Sequence, residues 1–247
     1  MREKVIAIVP AAGAGKRFGA NKAFYLLFDV PLIIWSLRVL EEVDLIEEII
    51  PVLKERDMQK GAELFERFNL LKIKKIAPGG KERQDSIYNA LRLIREEKSL
   101  ILIHDGARPL IDGDLIRKTI KSLGSFDGVV TGIPVKDTIK EVKASNEAFT
   151  VIRTLNRENL WAIQTPQVFR FGVLMKAYEE AMDKDFYSTD DSALVERLGC
   201  SVKVIMGSYN NIKVTTPEDI AIIEGLKRIN QPKNGFRNDK KRENPLC

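Results

Sequence analysis

Cysteine and histidine are nearly absent from this chain of 247 residues: two cysteines, Cys200 and Cys247, and one histidine, His104. Two such distant cysteines make neither a disulfide framework nor a C-x-x-C metal pair, and one histidine excludes the common zinc sets. No G-x-S-x-G nucleophile elbow occurs. No stretch approaches the roughly 18 apolar residues of a membrane span, and residues 1–30 lack the apolar run of a signal peptide. Cys247 is the last residue, not the fourth from the end as in a prenylation motif. A reducing cytoplasm and no membrane partner are the expectations.

Charge of one sign is also missing from the body of the chain. Of 40 Lys and Arg and 35 Asp and Glu, seven and two lie from Lys227 onward, which leaves 33 of each before it. The net charge of +5 therefore belongs to residues 227–247, whose last part, QPKNGFRNDKKRENPLC, is polar and has no apolar period. That composition predicts a disordered basic tail over 230–247 rather than a nucleic-acid surface. The remaining content, 44% hydrophobic and 30% charged, suits an ordinary globular core.

Apolar runs alternate with helix-period segments. Val5–Val9, Ile49–Leu53, Leu71–Ala77, Leu100–Ile103 and Val129–Val135 read as strands, with Leu71–Ala77 the weakest. Leu32–Leu40, Met58–Phe68, the segment of Ile87, Ala90, Leu91 and Ile94, and that of Leu115, Ile116, Ile120 and Leu123 read as helices. Thr216-Pro217-Glu218-Asp219 is a helix start, with Thr as N-cap, Pro first and acids in the first turn. The alternation predicts an α/β fold: an open, mainly parallel sheet with helices on both faces. Thr138–Val142 and Phe149–Leu155, with a turn at Lys143–Glu147, break the rhythm as an inserted hairpin. It is either an extra edge of the sheet or an arm that reaches a second subunit. No linker divides the chain, which predicts one domain.

Three segments carry chemistry. IVPAAGAGKRFGANK turns a strand into Gly13-Ala14-Gly15, followed by Lys16, Arg17 and Lys22. Glycines let backbone N–H groups approach an anion, and clustered cations suit a triphosphate. A dinucleotide fingerprint would place an acid about 20 residues past the glycines; here the second strand ends near Lys54-Glu55, much farther on. A Walker A loop is excluded because Arg17 follows Gly15-Lys16. ILIHDGARP ends an apolar strand on His104-Asp105, with Arg108 placed to grip a phosphate. Asp105 is positioned to bind Mg²⁺ with phosphate oxygens, while His104 reads as structural rather than as a base. Gly79-Gly80-Lys81-Glu82-Arg83-Gln84-Asp85-Ser86 is a glycine turn that enters a helix.

Together with PVKDT, NRENLWAIQTPQ, STDDSA and NIKVTTPED, these segments resemble, in order, the 2-C-methyl-D-erythritol 4-phosphate cytidylyltransferase family. The resemblance runs over about 4–226. It implies a Rossmann-like nucleotidyltransferase domain over 1–229 that acts as a cytoplasmic homodimer, with the hairpin, about 136–158, as the dimerisation arm. It implies CTP and a polyol phosphate as substrates, with Mg²⁺ on Asp105. CTP would meet Ala11, Ala12, Gly13 and Gly15, and its base Gly80, Lys81 and Ser86. Arg17, Lys22 and Lys213 would be catalytic. The polyol phosphate would meet Arg108, Thr138, Arg157, Thr165, Thr189 and Lys213, with Thr138 and Arg157 entering the neighbour's site. Asn21, Ala23, Lys81, Gly106 and Asp191 depart from the usual pattern. Ribitol 5-phosphate is the nearest alternative acceptor, and a dinucleotide-binding oxidoreductase is the rival from another class.

Overall fold

A computed structural model describes residues 3–13, 15, 17–19, 21–145 and 148–230. Ala14, Lys16, the tip of the expected hairpin turn at 146–147 and the expected basic tail beyond Asn230 lie outside the described residues.

The first strand, β1 (Val5–Pro10), shows why the sheet lies inside the molecule. Val5, Ala7 and Val9 face one apolar layer, while Ile6 and Ile8 face the other. A strand covered on both faces needs a continuous apolar run. A short hairpin, β2 (Leu26–Leu27) and β3 (Val30–Pro31), leads into α1 (Leu32–Glu42), and β4 (Ile46–Leu53) returns parallel to β1. Then come α2 (Met58–Arg67), β5 (Ala77–Pro78), α3 (Arg83–Leu91) and β6 (Leu100–Ile103), followed by α4 (Gly113–Lys121) and β7 (Gly128–Pro134). After the hairpin β8 (Lys140–Ala144) and β9 (Phe149–Thr154) come β10 (Trp161–Arg170), α5 (Phe171–Asp183), α6 (Asp191–Arg197), β11 (Val202–Met206) and α7 (Pro217–Asn230).

The main sheet has seven strands in the order β11-β7-β10-β6-β1-β4-β5. All pairings are parallel except those of β10, which runs against β6 and β7. The expected mainly parallel α/β sheet is therefore present. Helices α1, α2 and α4 bury Leu37, Phe65 and Ile116 on one face, while α3, α5 and α6 bury Ile87, Leu174 and Val195 on the other. A third cluster joins Phe18 to Leu27, Leu32, Val214 and, from α7, Ile220 and Ile223. The chain runs outward from β1 to β4 and β5, then returns to the opposite side of β1 as β6. That reversal opens a crevice at the carboxyl ends of the strands, where open α/β sheets bind ligands.

Two segments differ from expectation. Over Leu71–Ala77 only Ala77 joins the sheet in a named strand, and Ile73 makes a single bridge to Ile49. The N–H groups of Leu71 and Lys72 donate instead to the Glu41 carboxylate, at 2.9 and 3.1 Å, and Lys72 Nζ donates to the Val43 carbonyl. The hairpin is not an added edge: β8 and β9 pair only with each other, as a separate two-stranded sheet. All of their described residues are exposed, and Val142 opposite Val151 and Ala144 opposite Phe149 form an uncovered apolar face.

Candidate active site

The loop after β1 leaves the sheet at Ala11, whose N–H donates to the Val52 carbonyl. Gly15 adopts φ 64°, a left-handed conformation that only glycine takes without strain. Its carbonyl accepts from the N–H groups of Phe18 and Gly19, both at 2.9 Å. Phe18 then anchors the loop in the third core cluster, edge-on to Tyr25 at 5.1 Å. Beyond it, Lys22 opens a 3-10 turn and donates from Nζ to the Val214 carbonyl at 2.7 Å. Its pKa is lowered, first by burial and then by Lys213 and Arg17, against the opposing pull of Asp105 and Asp219. An ammonium so placed is partly desolvated and carries its charge toward the cleft.

Asp105, just past β6, is the electrostatic centre. Lys213 Nζ lies 2.9 Å from its Oδ2, Arg108 Nε 3.5 Å from the same oxygen, and Arg83 Nε 3.5 Å from Oδ1. Burial pushes this carboxyl upward, but Arg83, Lys213 and Arg108 outweigh it and hold the group well below the carboxylate range. From beneath, Thr165 Oγ1 accepts the Asp105 N–H at 3.0 Å and contacts His104 Nδ1 at 3.1 Å. A register shift in β10 between Gln164 and Gln167 takes Thr165 out of the ladder and gives its hydroxyl this place. His104 has no exposed surface, and burial lowers its pKa to about 4, so it is neutral at pH 7. Among the described residues no group of three or more His, Cys, Asp or Glu could cage a metal.

The third wall is the glycine turn before α3. A Cβ at Gly79 would lie 2.3 Å from the Cβ of Ala12, so glycine there lets the two loops touch. Ser86, buried, accepts the Gly80 N–H and donates to the Glu82 carbonyl, both at 3.0 Å. Glu82 and Asp85 cap each other across the first turn of α3. The three walls enclose a cleft of about 680 Å³. Ala11, Ala12, Gly13, Gly15, Lys22, Gly80, Lys81, Ser86, Asp105 and Lys213 all line it.

The family profile for 2-C-methyl-D-erythritol 4-phosphate cytidylyltransferase matches residues 5–228. The chain belongs to this family. A 2-C-methyl-D-erythritol 4-phosphate cytidylyltransferase from Alkaliphilus metalliredigens is 44% identical over 236 residues, covering 94% of this chain and 95% of its own. One from Geotalea uraniireducens is 43% identical over 233 residues, covering 92% and 98%. Among solved structures, the 4-diphosphocytidyl-2C-methyl-D-erythritol synthase of Anaerococcus prevotii superposes with a TM-score of 0.81 at 31% identity, covering 92% of this chain and 96% of that one.

The cleft thus gathers ten of the residues that resemblance to the cytidylyltransferases assigns. Six others stand apart. Arg17 is exposed on the loop and does not line the cleft. Arg108 and Thr165 are buried under Asp105, and Arg108 Nη1 donates to the Asn211 carbonyl at 2.7 Å, so in this state both act as supports. Thr189 is exposed on the segment between α5 and α6. Thr138 and Arg157 sit at the base of the hairpin, outside the cleft. Sequence reasoning missed Arg83, which lines the cleft and forks onto Asp191 at 2.9 and 2.7 Å. Its position in the GGKERQDS segment was the available signal.

Proposed function

We propose that this chain transfers the cytidylyl group of CTP to 2-C-methyl-D-erythritol 4-phosphate. The products are 4-diphosphocytidyl-2-C-methyl-D-erythritol and pyrophosphate, in the non-mevalonate isoprenoid pathway. One observation carries the reading beyond family membership. A single cleft brings a glycine loop, Lys22, Lys213 and Asp105 against the glycine turn at Gly80 and Lys81.

In this reading an oxygen of the polyol phosphate attacks the α-phosphorus of CTP. The new P–O bond forms as the bond to the β-phosphate breaks, and the electron pair leaves with pyrophosphate. A phosphate monoester is largely ionised at pH 7, so no general base is needed. His104, buried and bonded to Thr165, supports that. Catalysis then comes from position and fixed charge. Lys22, Lys213 and Arg17 stabilise the triphosphate and the leaving group, while Ala11 to Gly15 hold the phosphates. Gly80, Lys81 and Ser86 fix the cytosine, partly through backbone. Arg108, Thr165 and Thr189, with the neighbour's Thr138 and Arg157, serve the acceptor phosphate.

Mg²⁺ fits this donor set, because it takes one or two carboxylates and completes its shell with phosphate oxygens and water. Asp105, held anionic, would bind it, and the ion would neutralise charge on the triphosphate. The exposed apolar hairpin supports a homodimer, since an isolated two-stranded hairpin is marginal in water. The scarcity of cysteine supports a cytoplasmic location.

The test is pyrophosphate release from CTP with each acceptor. Turnover is expected with 2-C-methyl-D-erythritol 4-phosphate, is lost on chelation by EDTA and is weak with UTP. Turnover with ribitol 5-phosphate alone would overturn the acceptor. Release of no pyrophosphate with either acceptor would overturn the activity.

A further inference from the structure

The first turn of α3 does more than cap the glycine turn. Arg83 forks onto Asp191. Gln84, buried, donates from Nε2 to the Phe186 carbonyl and accepts from the Ser188 N–H through Oε1, both at 2.9 Å. The Tyr187 hydroxyl donates to Asp85 Oδ1 at 3.1 Å. Successive residues of a helix point about 100° apart. A segment reached by three of them in a row must wrap around the helix end. Segment 186–191 does so, although it lies about a hundred residues away in sequence.

Within the wrapped segment, Asp190 is engaged by Gln167 at 2.7 Å and by Ser192. Thr189 alone is exposed with a hydroxyl that takes no partner among the described residues. The fastening holds every neighbour of this hydroxyl and leaves the hydroxyl itself unbonded. The same helix turn fixes Gly80 through Ser86 and approaches Asp105 through Arg83.

We propose that Gln84 and Tyr187 are positioning residues for the acceptor phosphate. They hold Thr189 at a set place relative to the turn that reads the base, so one turn of α3 aligns the two substrates. The inference rests on the reading that Thr189 meets the polyol phosphate. Gln84 does not bear on the glycine turn itself, which Ser86 and the Glu82–Asp85 pair hold without it.

Steady-state kinetics with each substrate varied in turn test this, at temperatures where each variant is shown to be folded. Gln84→Ala should raise KM for the polyol phosphate about tenfold, the scale of lost hydrogen bonds, with KM for CTP within about twofold. Gln84→Glu keeps the oxygen that accepts from Ser188 and should recover part of the loss. Tyr187→Phe, at the surface, should shift the same parameter by about two- to threefold. Gln84→Ala combined with Thr189→Ala should be no worse than Thr189→Ala alone. The inference is overturned if Thr189→Ala raises KM for the polyol phosphate while neither Gln84→Ala nor Tyr187→Phe does, or if the effects of Gln84→Ala and Thr189→Ala multiply. If Gln84→Ala does not fold, Tyr187→Phe decides. If the wild-type enzyme turns over but Thr189→Ala leaves that KM unchanged, the reading of Thr189 falls, and this inference with it.

Discussion

His104 and Asp105 are adjacent and both buried, yet their environments send them to different charge states. Burial dominates His104 and lowers its pKa from 6.5 to about 4. At Asp105 burial is outweighed by Arg83, Lys213 and Arg108, and the carboxylate persists. The consequence for stability has a definite sign. Between pH 6.5 and 4 the unfolded chain takes up a proton at this histidine that the folded chain refuses, so stability falls as pH drops through that window. The loss from this one group approaches about 3 kcal/mol near pH 4. Asp105 adds its own loss only below its ordinary value of 3.8. Urea midpoints measured from pH 7 to pH 4.5 should decline in the wild type and decline less in His104→Gln. Parallel declines would place the titration elsewhere.

At the same scale, Lys22, Asp105 and the glycines were legible because each lies in a short run whose neighbours share its task. Arg83 was not. Its guanidinium gains its setting from Asp191, 108 residues on, and from Asp105, and no local pattern announces either contact. The burial of Arg108 and Thr165 beneath Asp105 was hidden for the same reason. Burial beneath a site and exposure within it look alike in a motif.

Among the elements, β1 and β6 were plain from sequence because both their faces are covered, which demands unbroken apolar runs. Strand β10 follows no such rule, and its sequence, WAIQTPQVFR, has no unbroken apolar run. It is exposed for its first three residues and buried for the next six, holds Pro166, and shifts register between Gln164 and Gln167. The contact between the two substrate loops belongs to this scale as well. With Gly79→Ala, the new Cβ would press on Ala12 at 2.3 Å. The loops must separate, at about 1–3 kcal/mol, and KM for CTP should rise while the sheet stays folded. An unchanged KM for CTP would show that the two loops need not touch.

For the whole molecule the hairpin is decisive. Phe149 is 77% exposed, and Val142, Val151 and Ile152 lie open beside it. If this face seats on a second chain, Arg157 serves that chain's cleft. Arg17→Ala and Arg157→Ala, each inactive alone, should then regain up to about a quarter of wild-type activity when unfolded together and reassembled. That is one intact site in the half of dimers that are mixed. No recovery, with mixed dimers demonstrated, would confine each site to one chain.

That separate, outward hairpin also bears on inheritance. Because each cleft would draw on two chains, a subunit carrying both Arg17→Ala and Arg157→Ala would bring a spoiled cleft and a spoiled arm into any pair. Each mixed dimer would then be dead at both sites, so the doubly altered allele would act dominantly, silencing normal copies in proportion to its share of the pool.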